Sequence, residues 1–133
     1  MGRAIIGALI LALVMKFFIL DFMIAEGQSM IPAIKPGTIL VVCKVSYGVR
    51  LPWSGTYLFR WGKPREGDVV IFYTPLGEIA VKRCAELVPE PAAEALPGEA
   101  FFALGDNDSQ SYDSRNYGPV PYKNIIGKAL GIK

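Results

Sequence analysis

Two side chains in this sequence could serve as a nucleophile and its base, and neither is histidine, because the 133 residues contain none. Ser29 lies in Gly27-Gln28-Ser29-Met30-Ile31-Pro32, just after an apolar N-terminal segment. Lys82 lies in the strand-like run Ile79-Ala80-Val81-Lys82-Arg83. A serine hydroxyl is a weak nucleophile until a neighbouring base takes its proton. A desolvated lysine can act as that base, because burial disfavours the ammonium and lowers its pKa. Such a Ser–Lys pair needs neither a metal nor a cofactor. Each residue alone also has a plainer reading, Ser29 as a linker serine and Lys82 as a solvated lysine on a sheet edge.

A third cluster runs Gly105-Asp106-Asn107-Asp108-Ser109-Gln110-Ser111-Tyr112-Asp113-Ser114-Arg115-Asn116-Tyr117-Gly118. Its acidic spacing loosely suggests a cation loop, but the ligand positions and distal glutamate of an EF-hand are missing. A dense run of Ser, Asp and Arg directly after an apolar strand reads instead as a hydrogen-bonded loop lining a site. A polar surface loop is the plain alternative.

These residues need a scaffold, and the rest of the chain supplies one domain behind an apolar segment. Hydrophobic residues make up 52% and charged residues 20%, with a net charge of +2. That charge is too small, and too scattered, to argue for nucleic acid. Ala4 to Met15 is uninterrupted apolar or small sequence, broken by Lys16 and again by Asp21. As one helix, Ala4 to Ala25 would reach ~33 Å, enough to cross a bilayer core. Lys16 and Asp21 would be costly at its centre. The expected span is therefore Ala4 to Leu20, with Lys16 snorkelling and Phe17, Phe18, Phe22 and Met23 at the membrane surface. A cleavable signal peptide is the rival, but no small-x-small pattern follows the apolar run. Residues 1–25 thus read as anchor and membrane-surface segment, and 26–133 as a β-rich domain.

Strands are expected at Thr38–Val45, Tyr57–Trp61, Val69–Tyr73, Glu78–Val88, Ala100–Leu104 and Asn124–Ile132, each bounded by Gly, Pro or Asp. No stretch after Ala25 has a helical period. Glu86 to Glu99 reads as an acidic, Pro/Ala-rich surface loop. Alternation along the Lys82 strand puts Ala80, Lys82, Cys84 and Glu86 on one face and Ile79, Val81, Arg83 and Ala85 on the other. Cys43 and Cys84 read as buried free thiols or as one disulfide.

Taken together and in this order, GQSMIP, GDVVIFYTPLGEIAVKR and GDNDSQSYDSRNYGPVP resemble the boxes of the type I signal peptidases, the bacterial membrane-bound leader peptidases. The resemblance covers most of the chain. It implies an all-β catalytic domain of antiparallel, partly barrel-like sheets, the β fold shared with LexA-like self-cleaving repressors, behind one transmembrane helix. Ser29 would be the nucleophile and Lys82 the general base. Ser111 would orient the lysine, while Asp106, Asp113, Arg115 and Arg83 hold the site together. Met23, Ala25, Met30, Ile34 and Val81 would shape the shallow apolar pockets for small side chains. Asp108, Ser109 and Gln110 depart from the usual box, which carries an arginine there. Gly27 stands where one branch has an oxyanion-binding serine.

The implied function is removal of signal peptides from exported preproteins, cutting after small-x-small sequences through an acyl-enzyme. The implied partners are preproteins, the phospholipid membrane and, transiently, the export machinery, with no nucleic acid, metal or cofactor. The implied location is the cytoplasmic membrane, single-pass, with the catalytic domain on the extracytoplasmic face. A related peptidase for pilin or conjugation precursors, or an inactive tethered paralogue that binds signal peptides, are the alternatives.

Overall fold

The computed structural model describes residues 1–51, 53–54, 56–88 and 99–132. Helix α1 (Gly2–Val14) continues through a wider π-turn over Met15–Ile19. Together they form an 18-residue apolar segment of mean hydropathy 2.1, with no residue buried against the rest of the chain. A helix that is apolar all round and buries none of its residues in the domain has the surface of a membrane span. It begins two residues before the expected Ala4 and ends one before Leu20. Lys44 Nζ closes its last turn by donating to the carbonyls of Lys16 at 3.0 Å and Phe17 at 3.4 Å, a favourable cation at a helix C-terminus. The same ammonium lies 3.4 Å from Asp21.

The remainder is antiparallel β, as expected. Among the described residues, nine strands follow in chain order: β1 (Leu20–Ile24), β2 (Ile39–Cys43), β3 (Gly48–Arg50), β4 (Tyr57–Arg60), β5 (Val69–Tyr73), β6 (Ile79–Leu87), β7 (Ala100–Leu104), β8 (Val120–Pro121) and β9 (Ile125–Ala129). Seven form one sheet in the order β1-β2-β9-β5-β6-β7-β8, while β3 and β4 pair as a separate hairpin. The large sheet curls into a half-barrel. β1 was hidden in the sequence because its residues read as the tail of the apolar run. β3 and β8 are too short to show a period. Among the described residues, the only helices after Ile24 are single turns, such as Ser114–Tyr117.

Central strand β5 explains why the sheet has two cores. Its run Val69-Val70-Ile71-Phe72 is wholly buried. Alternation sends Val69 and Ile71 to a cluster with Met30, Ile34, Leu40 and Val42. Val70 and Phe72 go to the opposite cluster with Phe101, Val120, Tyr122 and Ile125. Phe72 meets Phe101 edge to face at 5.6 Å, the favoured geometry for aromatic pairs. Gly127 of β9 is needed for close approach, since a Cβ there would come within 2.6 Å of the Cys43 carbonyl oxygen. A bulge between Cys84 and Glu86 breaks the expected alternation of β6, and Glu86 turns outward. Both cysteines are free thiols. Residues 89–98 of the expected acidic loop lie outside the described residues.

Phe72→Ala should cost about 3–5 kcal/mol, because it empties a fully buried aromatic site. Phe22→Ala, at a side chain 69% exposed, should change stability by less than about 0.5 kcal/mol. Denaturant unfolding of the micelle-bound chain measures both.

Candidate active site

Lys82 is placed by the register of two central strands. It sits opposite Val70, which is fully buried. The lysine itself is only 6% exposed. Burial lowers its pKa from the ordinary 10.5; the Asp113 charge opposes that shift and the Arg115 charge reinforces it. Among the described residues, no hydrogen bond or ion pair engages its ammonium. The adjacent cation is treated in the opposite way. Arg83 grips Asp106 with Nε and Nη2, both at 2.8 Å, and donates Nη1 to the Gly67 carbonyl at 2.8 Å. Two neighbouring cations on one strand therefore have different fates, one neutralised by a bidentate carboxylate and the other desolvated.

The loop after β7 is organised by Asp113, which is fully buried. Its Oδ2 accepts from the Gly105 N–H at 2.9 Å, the Ser111 hydroxyl at 2.6 Å and Arg115 Nη2 at 2.7 Å. Its Oδ1 accepts from Arg115 N–H at 3.1 Å and Nε at 2.9 Å. Asp113 also caps the turn Ser114–Tyr117, with Asn116 completing a capping box. Burial alone would raise its pKa, but the Arg115, Gly105 and Ser111 donors outweigh burial and hold the carboxyl well below the usual range. Ser111 thus spends its proton on Asp113, and its oxygen can only accept from anything else.

The same loop straps down the Ser29 segment. The Asn107 N–H donates to the Ser29 carbonyl at 2.8 Å and its side-chain amide to the Gln28 carbonyl at 2.9 Å. Gly105 permits the approach. A Cβ there would overlap the Ser111 hydroxyl, lie 2.5 Å from Ser111 Cβ and lie 2.7 Å from the Ser29 carbonyl oxygen. Gly105 and Asn107 thereby bring Ser29 beside Ser111 through backbone contacts that side-chain chemistry does not announce. The GDN string is the only signal of them in the sequence. The departure at Asp108 also acquires a structural account, since its carboxylate lies 3.4 Å from Arg115 and gives that guanidinium a second anion. Gly27 adopts φ +75 with open space around it, so glycine serves a left-handed backbone there.

Ser29 and Lys82 line one cleft of about 440 Å³. Met23, Ala25, Met30, Ile34 and Val81 line it too. Residues the sequence did not single out complete the walls: Ile24, Glu26, Thr74, Glu78, Ile79, Ala80 and Tyr112. Ser111, Asp106, Asp113, Arg115 and Arg83 lie behind it as supports. The side chains of Ser29 and Lys82 do not hydrogen-bond to each other. Catalytic hydrogen bonds often tighten only when the site is filled.

The cleft also has two exposed strand edges. β7 pairs with β6 only from Arg83 onward, at Leu104, leaving Ile79–Lys82 paired on the β5 side alone. β1 pairs only with β2 and ends the sheet. Met23 and Ile24 of β1 and Ile79–Lys82 of β6 line the same cleft, so both edges border it.

Comparison with known proteins gives the family. The family described as signal peptidase, peptidase S26, matches residues 1–90 and 82–132. A probable signal peptidase I-1 from Synechocystis is 29% identical over 160 residues, covering 92% of this chain and 76% of that protein. Signal peptidase I of Pseudomonas aeruginosa is 24% identical over 98% of this chain and 70% of its own length. Mitochondrial ATP-independent inner membrane protease subunit 1b of Arabidopsis thaliana is 33% identical over 80% of this chain and 65% of its own length.

Gly105→Ala should leave the chain folded but lower kcat about 100-fold, because it separates Ser29 from Ser111. Steady-state kinetics alongside circular dichroism checks this. Lys82→Met should stabilise the chain at neutral pH. A depressed lysine pKa means the unfolded chain holds more protons, so stability rises with pH toward 10.5. The gain from Lys82→Met should be largest below the folded pKa and vanish above the unfolded value. Thermal unfolding across pH tests the sign.

Proposed function

The chain belongs to the type I signal peptidases of family S26, hydrolases that remove signal peptides, and we propose that Ser29 and Lys82 carry its reaction. The observation that carries this assignment is a buried lysine without a hydrogen-bond partner, among the described residues, in the same cleft as a serine strapped into place. The substrate is an exported preprotein. Its cleavage region enters extended and adds to the open edges of β1 and of Ile79–Lys82. Met23, Ala25, Met30, Ile34 and Val81 wall shallow pockets that admit small side chains and exclude large ones.

Neutral Lys82 takes the Ser29 proton as the hydroxyl oxygen attacks the scissile carbonyl. The tetrahedral oxyanion is stabilised by the Ser29 backbone N–H. Lys82 returns the proton to the departing amine and the acyl-enzyme forms. Lys82 then deprotonates a water, which attacks the ester and frees the signal peptide. Ser111 steers the lysine through its hydroxyl oxygen, since its hydrogen is committed to Asp113. The segment Gly2–Ile19 anchors the enzyme in the cytoplasmic membrane, and the domain beyond it works on the extracytoplasmic face. Transient contact with the export machinery would deliver the substrate there.

Cleavage of a model preprotein in detergent tests the assignment. Ser29→Ala and Lys82→Ala should each reduce kcat by about 10³-fold or more. Wild-type cleavage should rise with pH as Lys82 loses its proton, with a midpoint below the ordinary 10.5 of lysine. A rate independent of pH from acid to neutral, or activity surviving either substitution, would reject the dyad. Binding without cutting by the wild type would favour an inactive signal-peptide receptor.

A further inference from the structure

A second cavity, of about 360 Å³, opens where the apolar helix meets the sheet, and it shares no described lining residue with the cleft of Ser29. Phe17, Leu51, Trp53 and Tyr73 supply aromatic and apolar walls, and Lys44 and Arg50 supply two cations. No carboxylate lines it among the described residues. Asp21 lies beside Lys44 at 3.4 Å and offsets part of that charge, while the Lys44 ammonium and the Arg50 guanidinium both line the cavity.

Its depth is set by the helix. Phe17 belongs to the last turn of the 18-residue apolar segment. The neighbouring Phe18 packs edge to face on Trp53, with centroids 6.4 Å apart. The end of a membrane span, ringed by Phe and Trp, sits at the level of the lipid headgroups. Both cations are held in position. The Arg50 guanidinium lies 5.3 Å from the Tyr73 ring centre and 5.9 Å from that of Tyr57, and donates to the Ile125 carbonyl at 3.0 Å. Lys44 is fixed by the helix-end carbonyls. A ligand matching this site has a phosphate for the cations and an apolar body for the walls.

We propose that this cavity binds the phosphate headgroup of an anionic glycerophospholipid from the adjoining leaflet. The proposal rests on the helix entering the membrane and is independent of the Ser–Lys assignment. The bound lipid would hold the domain at one height and tilt relative to the bilayer, with the cleft facing incoming signal peptides.

Trp61→Phe leaves Trp53 as the single tryptophan, excited selectively at the red edge of its absorption, in a chain with two tryptophans. The full chain in this background is reconstituted into phosphatidylcholine vesicles. These contain equal fractions of brominated phosphatidylglycerol or brominated phosphatidylcholine. Brominated phosphatidylglycerol should quench Trp53 more strongly. Lys44→Gln and Arg50→Gln should each cut that preference about fivefold, and Lys16→Gln, outside the cavity, should not. If Arg50→Gln fails to fold, Arg50→Lys should keep the preference and Lys44→Gln alone should lower it. Equal quenching by both lipids, a preference surviving the cavity substitutions, or one equally sensitive to Lys16 would overturn the proposal. So would displacement of the phosphatidylglycerol signal by millimolar inorganic phosphate, which would mark a site for the free anion. Cleavage in detergent should be unchanged by Lys44→Gln, so failure of this site and of the dyad are distinguishable.

Discussion

An amine must be kept out of water and still stand beside a serine, and most of the polar architecture follows from that constraint. A lone buried ammonium is costly by several kcal/mol, and the usual escape is to lose the proton. A carboxylate bound directly to Lys82 would relieve the cost, but it would also hold the proton and remove the base. The fold avoids this by pairing the two carboxylates of the neighbouring loop, Asp106 and Asp113, with arginines. Asp113 is consumed by Arg115 and by the Gly105 and Ser111 donors. Asp106 is consumed by Arg83. What reaches Lys82 from Asp113 and Arg115 is a pair of opposed fields, and desolvation remains the dominant influence.

The same loop that manages charge also sets distance. Asp113 fixes Ser111 and Gly105, Gly105 admits the Ser29 backbone, and Asn107 ties it down. The lysine comes from β6, whose register is fixed by pairing with β5, the strand buried between the two hydrophobic clusters. Ser29 and Lys82 thus stand on separate, independently braced elements. On the proposed reading, the substrate would take what the sheet leaves unpaired among the described residues: the end strand β1 and the first half of β6. Backbone pairing recognises any extended peptide, so on that reading selectivity would fall to the walls of the cleft and to the membrane.

Much of this was legible in the sequence, for identifiable reasons. β5 and β6 announce themselves through β-branched and aromatic runs bounded by Gly67, Pro75 and Gly77. Ser29, Lys82 and Ser111 stand in strings whose order is distinctive. The helix is plain from its apolar length, although its end is blurred by Lys16. Other features are long-range and leave no local trace. β1 becomes a strand only because Leu40–Cys43 is available to pair with it. The grip of Asn107 on Gln28 and Ser29 joins residues 79 and 78 positions apart. Tyr112, Glu26 and Glu78 reach the cleft through turns whose direction no periodicity reveals. The second cavity joins the helix end, the residue after β2, the β3–β4 hairpin, β5 and β9, five segments with no shared motif.

The central claim is that Lys82 is a neutral amine when the enzyme works. Its titration can be read directly by labelling lysine side chains with ¹³C and following their Cε resonances with pH in the full, micelle-bound chain. The resonance that disappears in Lys82→Met should titrate below the ordinary 10.5 and should still do so in Ser29→Ala. A Lys82 resonance titrating with the exposed lysines, in an enzyme that cleaves preprotein at neutral pH, would contradict the account.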